Sequence, residues 1–258
     1  MAELSDIITF LGTAGARFVV TRQFLASGGA WLSLGNTQML LDPGPGCLVQ
    51  AVKRKLDPSK LNAIILSHRH LDHSGDINIM IEAMTEGGTK KRGVVFLPSD
   101  ALSEDPIILS YLQAYPQNIE ILTEGGHYKL ADISFNTPIR HKHPVETYGL
   151  VFRTPLHTFC WITDTRYFDE LPHYYAGDLL IINVVRLSPG APVDHLSLPE
   201  AKKLIEAIKP KAAILTHFGM TMWRAKPWEL AKKLTDETGI SVIAARDGMR
   251  FDLTQIEN

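Results

Sequence analysis

Three histidines and one aspartate fall within six consecutive positions, His68-Arg69-His70-Leu71-Asp72-His73. Imidazole and carboxylate together suit zinc, iron or manganese, and the lack of thiolates beside them argues against a structural cysteine-type zinc site. A lone histidine would read as a solvated loop residue; this density points to metal chemistry. In an extended segment alternate side chains share a face, so His68 and His70 point the same way and can grip one ion. Asp72 and His73 lie where the chain turns, and can face a second ion beside the first. Ahead of the cluster runs Ala63-Ile64-Ile65-Leu66, apolar and partly β-branched, which predicts a buried strand. Behind it, Ser74-Gly75-Asp76 leads into a helical stretch from Ile77 to Met84. The donors therefore sit on a strand-to-helix connection, where side chains converge at the end of a sheet.

The pairing of an apolar strand with a terminal donor recurs. Cys160-Trp161-Ile162-Thr163 ends in Asp164, a carboxylate whose burial is costly unless it is ionically paired. Ala212-Ala213-Ile214-Leu215-Thr216 ends in His217. His141 and His143 lie after a strand and ahead of Thr147-Tyr148-Gly149, and either could ligate. His195 is placed differently. It stands in a loop just before Ser197, which with Glu200 makes a capping box for a helix whose Leu198, Ala201, Ile205 and Ile208 share one face.

Elsewhere the pattern is of strands and helices used twice. Ile7 to Leu11 predicts a first strand, and Gly35-Asn36 between two apolar runs predicts a hairpin. Cys47 to Leu56 predicts an amphipathic helix with Leu48, Val52 and Leu56 on its apolar face, and a helical stretch is expected after Pro106. Strands are expected near 94–97, 119–122, 133–138, 149–153 and 158–163. Strands then helices, repeated, fit two mirrored halves better than one doubly wound sheet. With no Pro-, Gly- or Ser-rich linker, residues 1–258 are expected to form a single domain.

A formal net charge of −2 offers no global basic field for nucleic acid. The run Lys90-Lys91-Arg92 reads as a solvated loop tip. Two cysteines, Cys47 and Cys160, are too few for a disulfide framework and read as core residues. Residues 1–6 lack a basic or apolar leader and no apolar run approaches a bilayer span, so the cytoplasm and no membrane contact are expected.

His68-Arg69-His70-Leu71-Asp72-His73 resembles the signature of the metallo-β-lactamase superfamily. The resemblance implies an α/β fold, a four-layer αβ/βα sandwich, with a two-metal site on its upper edge. It implies that His68, His70 and His143 hold one ion, that Asp72, His73 and His217 hold the other, and that Asp164 bridges them. His143 matches better than His141, because that family places its third ligand a few residues ahead of an aromatic-Gly strand; His141 is then a supporting or surface group. Two divalent ions are implied, zinc ahead of manganese or iron. They would depress the pKa of a shared water, giving a bridging hydroxide, with Asp72 among the catalytic groups.

His195, the capped helix and the strand ending Thr216-His217 are together similar to ribonuclease Z and to the phosphoribosyl cyclic phosphodiesterase of phosphonate breakdown. The turn Gly12-Thr13-Ala14-Gly15 resembles their opening turn. In those enzymes the matching histidine helps protonate the leaving oxygen or contacts the phosphate. His195 is thus the second catalytic candidate, with Asp194 a candidate to orient it. Two departures matter: the interval from His143 to Asp164 cannot hold a tRNA-gripping arm, and the Cys-rich extra zinc site of the phosphodiesterase is missing. The expectation is a dinuclear metal-dependent hydrolase, a phosphodiesterase for a small or cyclic phosphodiester. Nucleic acid is not favoured, and a homodimer is left open. The alternative is a lactone, ester or lactam hydrolase, which uses the same metals but needs no leaving-group histidine. Arg17, Phe18 and Phe24 lie where a substrate lid could form, and Arg22 could add a phosphate contact.

Overall fold

Strand alternation builds three apolar interfaces rather than one. In the computed structural model, which describes residues 6–103, 105–190 and 193–256, Leu179 and Ile181 of one strand enter the core between two sheets, while Leu180 and Ile182 enter a second core beneath helices. Residues 1–5, part of the stretch without a leader, lie outside the described residues.

The first half runs β1 (Asp6–Phe10), α1 (Ala16–Thr21), β2 (Ala30–Leu34), β3 (Thr37–Leu41), α2 (Cys47–Lys53), β4 (Ala63–Ile65), α3 (Leu71–Ser74), α4 (Ile77–Met84), β5 (Val94–Pro98) and β6 (Asn118–Leu122). The second runs β7 (Gly126–Leu130), β8 (Ile133–Thr137), β9 (Leu150–Arg153), β10 (Thr158–Ile162), β11 (Leu179–Asn183), α5 (Leu198–Ile208), β12 (Ala212–Thr216), α6 (Met220–Arg224), α7 (Pro227–Thr238), β13 (Ser241–Ala244) and β14 (Arg250–Asp252). One sheet has the order β14-β1-β2-β3-β4-β5-β6 and the other β13-β12-β11-β10-β9-β8-β7. Each is part antiparallel and part parallel: β3 to β6 are parallel in the first, and β10 to β13 in the second. Phe10, Phe96, Phe135, Phe152, Phe159 and Ile214 pack between the sheets. Helices α2 and α4 cover the outer face of the first sheet, and α5 and α7 that of the second. These four layers are the αβ/βα sandwich. The hairpin forms at Gly35-Asn36, where Gly35 takes φ +55°.

The helix expected over Cys47–Leu56 is shorter and turned. It stops at Lys53, Lys55 has φ 60°, and Cys47 and Ala51 are buried while Val52 is 58% exposed. The cause is close approach: a Cβ on Gly28 would stand 3.2 Å from the Cys47 Cα, so small residues face the sheet and Val52 is carried outward. After Pro106 only a short 3-10 turn forms, at Ser110–Ala114. The first turn leads into α1, which exposes Arg17 and Phe18, the latter by 66%. Lys90 pairs with Glu86 at 2.8 Å and Arg92 donates to the carbonyls of Ser59 and Leu61, while Lys91 between them is exposed. Cys47 and Cys160 are both free and buried. Among the described residues, no helix is long and apolar enough to cross a membrane.

Candidate metal centre

Parallel strands end their chains on a common edge, and that edge collects the donors. Asp42 follows β3, Ser67 to His73 follow β4, Asp164 follows β10 and His217 follows β12. His143 arrives on the β8–β9 connection. Three groups of donor atoms result, each within 4.8 Å: His68, His70 and His143; His68, His73 and Asp164; and Asp72, His73 and His217. All seven residues named from the resemblance therefore converge, and Asp164 lies between the outer groups. A cavity of about 30 Å³ opens beside Asp72, His73 and His217.

The nitrogens facing this centre are deprived of partners. His68 Nε2, His73 Nε2 and both ring nitrogens of His217 are buried without a hydrogen bond. Such orphans are costly unless something binds them. The carboxylates stand too far away for good hydrogen bonds: His73 Nε2 is 3.4 Å and His68 Nε2 3.8 Å from Asp164 Oδ2, and His217 Nε2 is 3.5 Å from Asp72 Oδ2. Buried imidazoles and carboxylates held slightly apart, lone pairs inward, fit divalent cations.

The opposite edges of the rings are fixed. Asp42 Oδ1 accepts the Ser67 backbone N–H at 2.7 Å, and its Oδ2 accepts the Ser67 hydroxyl at 2.8 Å and lies 2.9 Å from His73 Nδ1. The Ser67 Oγ lies 3.0 Å from His68 Nδ1. With its proton given to Asp42, Ser67 can only accept from His68, so Nδ1–H is the consistent tautomer for both rings and leaves each Nε2 free for metal. His143 Nδ1 donates to the Asp194 carbonyl at 2.9 Å, which turns its Nε2 toward His70, 3.1 Å away. Asn183 Nδ2 donates to Asp164 Oδ1 at 2.9 Å, and Trp161 Nε1 in turn donates to Asn183 at 3.1 Å. Sequence reasoning misses Asp42 and Asn183. The signal for them is a carboxylate or amide at a strand end, as at Asp164.

Electrostatics separates the rings. Burial pushes His68 well below its ordinary value, since its nearest carboxylate is 3.8 Å away. Burial also opposes charge on His73, yet Asp42, Asp72 and Asp164 outweigh it and raise that ring well above normal. Burial works against the Asp164 carboxylate too, but His217, His195 and His73 hold it well below the usual range. Asp72 is lowered in the same way against its burial, by His73 and His217.

His141 does not join the donors. It is 2% exposed, its Nε2 lies 2.7 Å from the Tyr175 hydroxyl and its Nδ1 3.2 Å from the Asp164 carbonyl. Of the two roles open to it, this is the supporting one. Two residues of this edge, Asp42 at φ 52° and His217 at φ 60°, are non-glycines in the left-handed region. Gly15 sits against His217: a Cβ there would come within 2.3 Å of its Nδ1, so no other residue fits without moving that ring.

The profile of the beta-lactamase superfamily domain matches residues 37–218. The chain belongs to the metallo-β-lactamase superfamily. As a member it is a metal-dependent hydrolase, with His and Asp clusters able to bind metal. An uncharacterized Methanocaldococcus jannaschii protein, MJ1374, is 34% identical over 257 residues, 95% of this chain and 94% of that one. The crystal structure of the metallo-beta-lactamase fold protein YhfI from Bacillus subtilis superimposes with a TM-score of 0.79 at 20% identity, covering 97% of this chain and 100% of that one. A diphosphatase of the PhnP family has a TM-score of 0.71 at 17% identity, with 96% and 97% of the chains covered. At these identities the two structures speak for the superfamily fold.

His195 lies beside the centre and outside the three donor groups. Its Nδ1 is 3.3 Å from Asp164 Oδ2. Arg186 fixes its backbone, the guanidinium Nη2 donating to the His195 carbonyl at 2.6 Å. Helix α5 anchors the same loop through the expected capping box, Ser197 N–H donating to Glu200 Oε2 at 2.7 Å. Asp194 touches His143 through its carbonyl and Arg166 through its carboxylate, 3.9 Å away.

Proposed function

We propose that this hydrolase is a phosphodiesterase acting on a small or cyclic phosphodiester. In this reading His68, His70, Asp72, His73, His143, Asp164 and His217 hold two divalent ions, zinc first among the candidates. When bound, such a pair supplies Lewis acidity and an activated water at neutral pH. The protein's own residues then orient the ester, screen its charge and move a proton.

The observation that carries the reading is the position of His195. Its Nδ1 is sealed against Asp164, while the side chain as a whole remains 18% exposed, so the exposure belongs to the rest of the ring. A departing alkoxide needs a proton, and a partly exposed imidazole beside the metal centre supports that role, for a factor of ~10²–10⁴ in rate. Burial lowers the His195 pKa, which makes its protonated form a stronger acid; the negative charge of a bound phosphodiester acts in the opposite direction. Arg166, 61% exposed at its side chain beside Asp194, adds a cation for a phosphate oxygen. A PhnP-family diphosphatase among the structural neighbours is in keeping with phosphoester chemistry.

The test uses metal-reconstituted protein and its His195→Ala variant. A substrate panel of bis-p-nitrophenyl phosphate, alkyl and cyclic phosphodiesters, a lactone and a β-lactam identifies the reaction class. The variant is expected to keep its metals and to lose rate chiefly on esters with poor leaving groups, while p-nitrophenyl esters, which leave without a proton, lose much less. Equal losses on both would make His195 a phosphate-binding group. Turnover of the lactone with no phosphodiester hydrolysis would overturn the proposal.

A further inference from the structure

A second concavity, unconnected with the reaction above, backs onto the same strand ends. Gly12, Ala14 and His217 line the cavity at the metal centre, whereas the intervening Thr13 and the next residue, Phe218, line the other one. Ala14 and Phe218 are bridged in parallel, and Phe218 N–H donates to the Thr13 carbonyl at 2.8 Å. Adjacent residues of these paired segments line the two spaces in turn, so the spaces share one ridge of backbone.

The second space holds about 370 Å³, within the ~300–1,000 Å³ typical of small-molecule sites. Trp223 and Trp228 form a corner, their ring centroids 6.2 Å apart and their planes 71° to each other. Phe218, 2% exposed, adds an apolar surface to the lining. Trp228, near the start of α7, is left 42% exposed, which keeps a large apolar ring in water. Arg246 also lines the space. It is exposed and, among the described residues, its guanidinium has no hydrogen bond, ion pair or ring contact; only its carbonyl is engaged, accepting from Met249 N–H at 2.8 Å. Its neighbour Asp247 does not answer it: Oδ1 accepts from Thr13 N at 2.9 Å and Thr13 Oγ1 at 2.8 Å, and Oδ2 from Ala26 N at 2.8 Å.

We propose that this pocket is a second binding site, for a flat aromatic ring that carries a carboxylate or similar anion. A right-angled pair of indoles takes a flat ring by stacking on one face and meeting the edge of the other. A guanidinium with its donors free offers two parallel bonds to a carboxylate. An aliphatic chain would use neither feature, and a neutral ring would leave the arginine unanswered.

The probe is naphthoate, titrated into metal-loaded protein by calorimetry and by tryptophan emission. Trp31 and Trp161 are core residues at 1% and 5% exposure, but Trp161 lines the cavity at the metal centre, so a saturable emission change reports the Trp223–Trp228 corner where Trp228→Ala abolishes it. Stoichiometric, saturable binding is expected, and it should persist after the metals are stripped with EDTA. Arg246→Ala and Trp228→Ala both alter exposed residues and should fold normally. Arg246→Ala should weaken naphthoate about tenfold or more, the loss of a charge-assisted pair, and should leave neutral naphthylmethanol unchanged. Trp228→Ala should weaken both. No saturation, equal affinity for the charged and neutral probes, or loss of binding with the metals would overturn the proposal.

Discussion

The two halves of the sandwich contribute to the centre by opposite means. The first half brings His68, His70, Asp72 and His73 on one connection after β4. The second brings His143, Asp164 and His217 on three separate connections, spread over a span of more than seventy residues. A short loop can hold four donors because alternation and one tight turn aim them. Three dispersed donors meet only if their strands end on one edge and the two sheets pack face to face. A contiguous set is thus robust to changes elsewhere, and a dispersed set depends on the whole second sheet.

The sharpest way to break this comparison is at Asp164, the dispersed residue that faces both groups. Asp164→Ala should strip most bound metal, measured by elemental analysis against the two ions per chain proposed for the parent, and bring hydrolysis to background. Retention of one ion with full activity would make the local loop sufficient by itself and remove the bridging role.

A smaller effect is expected inside the local loop. Asp42→Asn keeps an acceptor for the Ser67 N–H, but an amide nitrogen placed opposite His73 cannot accept its Nδ1–H. The ring should lose its enforced tautomer, and metal affinity should fall about 10- to 100-fold, as for other partners that orient ligating histidines. A competition titration with a chromogenic chelator reads this directly. Unchanged affinity would mean that the turn alone orients His73.

The last effect is on stability rather than on the metals, and concerns His141 in the dispersed half. Burial lowers this ring from the ordinary 6.5 to about 4. Between those values the unfolded chain binds the proton and the folded chain does not, so stability falls as pH drops from about 6.5 toward 4 and the slope ends below that. The full contribution is present above 6.5, and a shift of this size corresponds to about 3 kcal/mol. Urea midpoints of metal-free protein at pH 7, 5.5 and 4.5 should therefore fall less steeply for His141→Gln than for the parent. Equal slopes would show that the buried ring does not carry this linkage.

Much of the centre is legible in the amino-acid sequence itself. The donors after β4, β10 and β12 stand at the ends of apolar strands, the hairpin at Gly35-Asn36 has its turn residues, α4 spans Ile77–Met84 as expected, and Ser197 with Glu200 announces the start of α5. Each is a short-range pattern, fixed by side-chain periodicity, turn chemistry or capping within a few residues, so one stretch of chain specifies it. What lies beyond such patterns is decided by packing between distant segments. Residue pattern alone leaves His141 and His143 both open, two residues apart, and only the family resemblance favours His143; the fold turns His141 to Tyr175 and His143 to His70. Asp42 reads as a turn residue before Pro43 until β3 pairs with β4 and sets it against Ser67 and His73. Val52 reads as a core residue until Gly28 admits Cys47 and turns the helix. In each case the local chemistry permits several partners, and only burial against a particular neighbour, far off in sequence, makes one of them lower in free energy than water.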